Sequence, residues 1–171
     1  MISKNLEKAI NDQIKLEEQS SRVYMAMASW CEVEGYAGAA KFLYDHSDEE
    51  REHQLKFVHF LNDRGGHAQL LAVEQPSAKY KSLEELFNEV LKHEQYVTKK
   101  INELVDICLK EKDHTTNNFL QWFVEEQIEE ESLAQEIVDK IKLIGESKGG
   151  YFHLDMFLSN LADAESAEEE E

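Results

Sequence analysis

The 171-residue chain carries 36 acidic against 18 basic residues, a net charge of −18, so its surface repels nucleic acid and anionic membranes and attracts cations. That length suits one well-filled core, and one proline with seven glycines leaves too few turn residues for a many-stranded sheet. No apolar run reaches the roughly twenty residues of a membrane span, and the start MISKNLEKAI lacks a signal-peptide core. A cytoplasmic protein that engages neither membrane nor nucleic acid is therefore expected.

In chain order, the first helix is expected from Leu6 to Glu34, stopping at Gly35, and the second from Gly38 to Arg64, stopping at Gly65-Gly66. Ser82 with Glu85 forms a capping box that opens a third helix to Lys112. A fourth is expected from Thr115 to Ile144, and a short fifth from Tyr151 to Leu161 after Gly149-Gly150. The end, AESAEEEE, reads as an acidic disordered tail over 164–171, which leaves 1–163 as a single domain. Short turns make the first and second helices, and the third and fourth, antiparallel neighbours. The stretch Gly66 to Lys81, with Pro76, is long enough to cross a bundle's length. The expected class is all-α: an antiparallel four-helix bundle with a long crossover between helices 2 and 3 and a short C-terminal fifth helix.

Apolar residues at alternating spacings of three and four mark the inward seam of each long helix. The seams run Ile10, Ile14, Glu17, Ser21, Tyr24 in the first and Leu43, His46, Glu50, His53, Phe57 in the second. They continue as Val90, Glu94, Val97 in the third and Phe123, Gln127, Glu130, Ala134 in the fourth. A glutamate interrupts every seam near its middle. At about 1.5 Å per residue, Glu17, Glu50, Glu94 and Glu130 lie at similar heights along the bundle. Burying such a group of carboxylates without partners costs several kcal/mol each and sets like charges against one another, so a positive species belongs between them. Oxygen ligands with one imidazole, His53, suit iron or manganese better than structural zinc. Four carboxylates with a neutral histidine carry about −4, which matches two divalent ions and points to a dinuclear iron centre. Cys31 and Cys108 have neither metal-like nor redox-like spacing and read as core residues.

Ferritin-like di-iron bundles take a glutamate from two helices and Glu-x-x-His from the other two. This chain has Glu17, Glu94 and Glu50-x-x-His53, but Gln127-x-x-Glu130 in its fourth helix. With the runs EEREH and VEEQIEEE, it resembles the bacterial non-haem ferritins over essentially its whole length. The resemblance implies a first iron site of Glu17, Glu50 and His53. It implies a second of Glu50, Glu94 and Glu130, with Gln127 as a hydrogen-bonding neighbour. A third site would use Glu49, Glu126 and Glu129 and share Glu130. Tyr24 matches the family's tyrosine beside the centre, though a core aromatic with a satisfied hydroxyl reads equally well. The residues Glu49, Glu126 and Glu129 also fit a solvated acidic face.

The implied function is iron storage. Two to three ferrous ions per subunit, as substrate, are oxidised by dioxygen or peroxide, and ferric mineral is kept inside a homo-oligomeric shell of 24 subunits. The fifth helix, FHLDMFLSNL, would line a four-fold pore with an apolar face of Phe152, Met156 and Leu158, a face that ordinary packing explains nearly as well. Haem is not expected, because bacterioferritins carry a methionine where this chain has Arg51 and a histidine where it has Glu130. Acidic three-fold pores of the animal type are also not expected, since Asn117 and Leu120 stand at the positions concerned. Rubrerythrin-like peroxidases carry a CxxC module absent here. A di-iron oxygenase with an apolar substrate pocket is the alternative of a different class.

Overall fold

The computed structural model describes residues 2–145 and 147–168, with side chains described as far as residue 164. Helix α1 (Lys4–Glu34) begins at Ser3, whose Oγ accepts from the Leu6 amide at 3.1 Å. It ends where Gly35 takes a left-handed φ of 88°, letting the Gly35 and Tyr36 amides close on the Glu32 and Cys31 carbonyls. Helix α2 (Ala37–Asp63) follows directly. Helix α3 (Leu83–Glu111) opens on Ser82, which accepts from the Glu85 amide at 3.1 Å, while Glu85 reaches back to the Lys81 amide at 2.6 Å. Helix α4 (His114–Ile144) is capped by Asp113, which accepts from the Thr116 amide at 2.9 Å.

The same Asp113 carboxylate takes two guanidinium bonds from Arg64, at 3.2 and 2.9 Å. This forked, half-buried pair ties the end of α2 to the turn between α3 and α4. Residues 64–82 hold no helix or strand. They run along α1, where Asn11 receives the Gln69 amide at 2.6 Å and Gln19 the Glu74 amide at 2.7 Å. The four long helices thus form a bundle of two antiparallel pairs joined by a crossover, α1 packing chiefly on α2 and α3 on α4.

The bundle's interior falls into two apolar clusters. One holds Tyr24, Cys31, Phe42, Leu43, Phe87, Ile137 and Ile141, and α5 adds Leu154, Leu158 and Ala162 to it. The other holds Leu6, Ile10, Ile14, Phe57, Val97, Ile101, Leu120 and Phe123. Between them every long helix passes through a polar stretch. No described helix is long and apolar enough to cross a membrane.

Helix α5 (Lys148–Glu168) departs from the sequence reading in two respects. It takes in both glycines expected to precede it and continues through 164–168, which were expected to be part of a disordered tail; residues 169–171 lie outside the described residues. Leu158, grouped in sequence with Phe152 and Met156 on one apolar face, is fully buried, because positions 154, 158 and 162 share the face that meets the bundle. Phe152 and Met156 are exposed. Asp155 holds α5 in place: its carboxylate accepts from the Gly38 and Ala39 amides at 3.0 and 2.8 Å, capping α2 from outside its own segment.

Candidate metal centre

The polar stretch between the two apolar clusters is where the seam glutamates arrive. Glu17, Glu50, His53 and Glu94 are all at most 5% exposed. Glu17, Glu50 and His53 form one group whose ligand atoms lie within 4.8 Å of one another. Gln13, one turn before Glu17, donates to Glu17 Oε1 at 2.7 Å and fixes that carboxyl's orientation. Glu50 Oε2 stands 3.6 Å from His53 Nδ1. Glu17 Oε2 and Glu50 Oε2 are buried with no hydrogen-bond donor. An orphaned buried oxygen costs about 1–3 kcal/mol, and two in one group supply a donor set suited to a cation.

Burial dominates the electrostatics. It pushes the Glu17 carboxyl up to about 7 against the opposing interactions with Glu50 and Gln13, with the nearby Glu94 charge adding a smaller push in the same direction. Burial, then the charges of Glu17 and Glu94, hold Glu50 well above the usual carboxylate range. His53 is pressed down to about 3 by burial and then by the positive charge of Lys56, so its imidazole is neutral and ready to ligate. Without a cation this pocket retains protons; a cation that enters must displace them.

Glu94 is engaged differently. It accepts the Tyr24 hydroxyl and the Gln127 amide, which reaches Glu94 Oε2 at 3.1 Å and Thr98 Oγ1 at 3.3 Å. Burial, then the charges of Glu94 and Glu50, raise the Tyr24 hydroxyl well above its usual range, so it acts as a donor. Its ring meets His46 and His93 edge-on at 6.1 and 5.8 Å.

Two further groups flank the first, His46 with Glu49 and Glu130, and Glu49 with His53 and Glu126. Glu130, placed on the buried seam by its spacing, stands at the rim with 13% side-chain exposure. Gln127, one turn earlier, takes the inner position. Burial, followed by the Glu49 charge, raises the Glu126 carboxyl. Glu129 is exposed and joins none of these groups among the described residues.

His46 was read only as a seam residue, yet its Nδ1 bonds the Phe42 carbonyl at 3.1 Å and its Nε2 faces Glu130 Oε2 at 3.7 Å. Its place one turn before Glu50 was the available signal. Gln13 and Trp122 were also missed. Trp122 meets His53 edge-on at 5.3 Å, and nothing in a tryptophan's spacing distinguishes that role from packing.

A four-helix bundle with this crossover, whose middle layer gathers buried carboxylates around an imidazole, defines the ferritin-like class. Residues 7–144 match the family model for ferritin, described as a ferritin-like domain. A probable bacterial non-heme ferritin-like protein of Haemophilus influenzae is 46% identical over 162 residues, covering 95% of this chain and 98% of its own. The bacterial non-heme ferritin of Campylobacter jejuni is 44% identical, covering 95% and 97%. A crystal structure of an open-pore ferritin from the archaeon Archaeoglobus fulgidus superposes with a TM-score of 0.92 at 42% identity, over 93% of this chain and 98% of that one. The chain belongs to the ferritin family.

Proposed function

We propose that this protein stores iron, oxidising ferrous ions inside its bundle and holding the ferric product as mineral within a shell of 24 copies. The observation that carries this reading is the pair of donorless oxygens on Glu17 and Glu50 beside a neutral His53, in a buried layer that is electrostatically unbalanced without cations. Glu17, Glu50 and His53 would bind one ferrous ion. Glu50 would bridge to a second bound by Glu94 and Glu130, with Gln127 and Tyr24 setting the angle of Glu94. Each of the two ions gives one electron to dioxygen, which takes up two protons and leaves as hydrogen peroxide; peroxide can serve as oxidant in turn. The ferric product hydrolyses, releases further protons and moves to the mineral. Glu49, Glu126 and Glu130 form an adjoining third site, in which Glu129 takes part only by turning inward and to which His46 offers Nε2. Haem has no part in this chemistry. The exposed Phe152 and Met156 of α5 are apolar surface that neighbouring copies would cover, as expected around a four-fold pore.

The deciding experiment is an anaerobic ferrous titration followed by oxygen in a stopped-flow instrument, with sizing of the loaded particle. Two to three irons per chain are expected to oxidise rapidly, with many more retained in a large shell. Glu50→Ala should slow the fast phase by at least about 100-fold, since even residues behind a metal ligand contribute up to that much. Two tightly held irons, a small oligomer and no mineral would instead place the protein among the di-iron oxygenases or peroxidases.

A further inference from the structure

One turn beyond His53 on α2, Lys56 lays its Nζ 3.3 Å from the centre of the Trp122 ring. Trp122, from α4, in turn stands edge-on to His53. Beside this stack lies the group of Glu49, His53 and Glu126, whose ligand atoms are within 4.8 Å of one another. Partial burial lowers the pKa of the Lys56 ammonium, and the negative charges of Glu126, Glu52 and Glu49 act in the opposite sense to keep it charged. A fixed cation has therefore been built onto the edge of a carboxylate group and held on an indole face, where the ring quadrupole attracts it.

Resting on the iron-oxidising reading above, we propose that Lys56 is a positioning residue for the outer cation site, a tethered counter-charge that keeps an ion at Glu49, His53 and Glu126 weakly held and quick to leave. The indole is the other half of the device. It gives the ammonium a place beside the carboxylates, so Lys56 lowers the site's affinity through space without occupying it. Before an ion arrives, the same charge offsets part of the repulsion between Glu49 and Glu126. Once an ion is bound, like-charge repulsion from Lys56 favours its departure. The outer group then works as a place of transit for iron, joined through the shared His53 to the deeper Glu17 and Glu50 that hold ions for oxidation.

The test is calorimetric titration of the metal-free assembled protein with zinc, which is redox-inert, comparing wild type, Lys56→Met and Lys56→Arg. Lys56→Met is expected to bind the outer ion about tenfold tighter, the scale of one unit charge removed at a partly buried site, with the two inner ions shifted less, through the His53 that both groups share. Lys56→Arg, which keeps the charge and stacks on indole, should match wild type. In successive additions of ferrous iron with oxygen, Lys56→Met should slow more in later rounds than in the first. An unchanged outer affinity in Lys56→Met, or an equal shift in Lys56→Arg, would overturn the proposal. Failure of the storage reading would show separately, as absence of iron oxidation in the wild type, with the zinc comparison still decisive for Lys56.

Discussion

At the scale of single residues, Glu17 sets a pH dependence whose sign follows from its burial. Below its ordinary value of 4.5 the group is protonated both folded and unfolded, and its contribution to stability is fully present. As pH rises through about 7 the folded protein must ionise it against burial, and that contribution is lost. The full span of this change is about 3 kcal/mol per chain, and Glu50 acts in the same direction. His53 works oppositely: held down to about 3, it withdraws stability as pH falls below its ordinary 6.5. The loss from Glu17 runs between about pH 4.5 and 7 and His53 opposes it below 6.5, so urea unfolding of the metal-free protein should show a midpoint that falls most steeply between pH 6.5 and 7. Glu17→Gln should flatten that slope, and zinc should abolish it by displacing the proton; a slope unchanged in Glu17→Gln would refute the assignment. Much of this site was legible, because spacings of three and four put Glu17, Glu50 with His53, and Glu94 on the inward stripes of their respective helices. The rim was less so. An α-helix drifts about 20° per heptad against a strict repeat, enough to let Gln127 turn inward and leave Glu130 at the edge.

At the scale of elements, the docking of α5 depends on two small features. Its Asp155 caps α2, and Gly38 leaves room for it to do so: a Cβ at residue 38 would lie 1.9 Å from the Asp155 carbonyl oxygen. Asp155→Ala should cost about 1 kcal/mol through the lost cap, and Gly38→Ala more, because backbone must move. Limited proteolysis is expected to release α5 faster in both variants, Gly38→Ala foremost, with little loss of helix by circular dichroism; equal protection in all three proteins would count against this account. The four long helices were readable from their caps and stops to within two residues, since Ser82 and Gly35 act through local hydrogen bonds; the Asp113 cap of α4 was not read. The extent of α5 was not. Gly150 read as a break, but it serves close packing: a Cβ there would meet Ile144 Cγ2 at 2.4 Å. The acidic residues that follow read as solvated chain, although alanine and glutamate are good helix formers once a helix has started.

At the scale of the whole molecule, bundle and crossover were legible because so few turn residues leave few topologies, and the ties from Asn11 and Gln19 show how the long connection is held to α1. The division of the interior into two apolar clusters on either side of the carboxylate layer bears on mechanics. Metal-free, the chain amounts to two short bundles in series, sharing four helical spines but joined through a layer that resists closure. Hydrogen exchange should then be fastest, within the helix interiors, at the amides around Glu17, Glu50 and Glu94, and zinc should slow those amides more than the ones beside either cluster. Uniform slowing along the helices would argue for a single continuous core. On the proposed reading, each ion in passage is for that moment a rivet through the shell wall, and the wall stiffens or slackens with its own traffic.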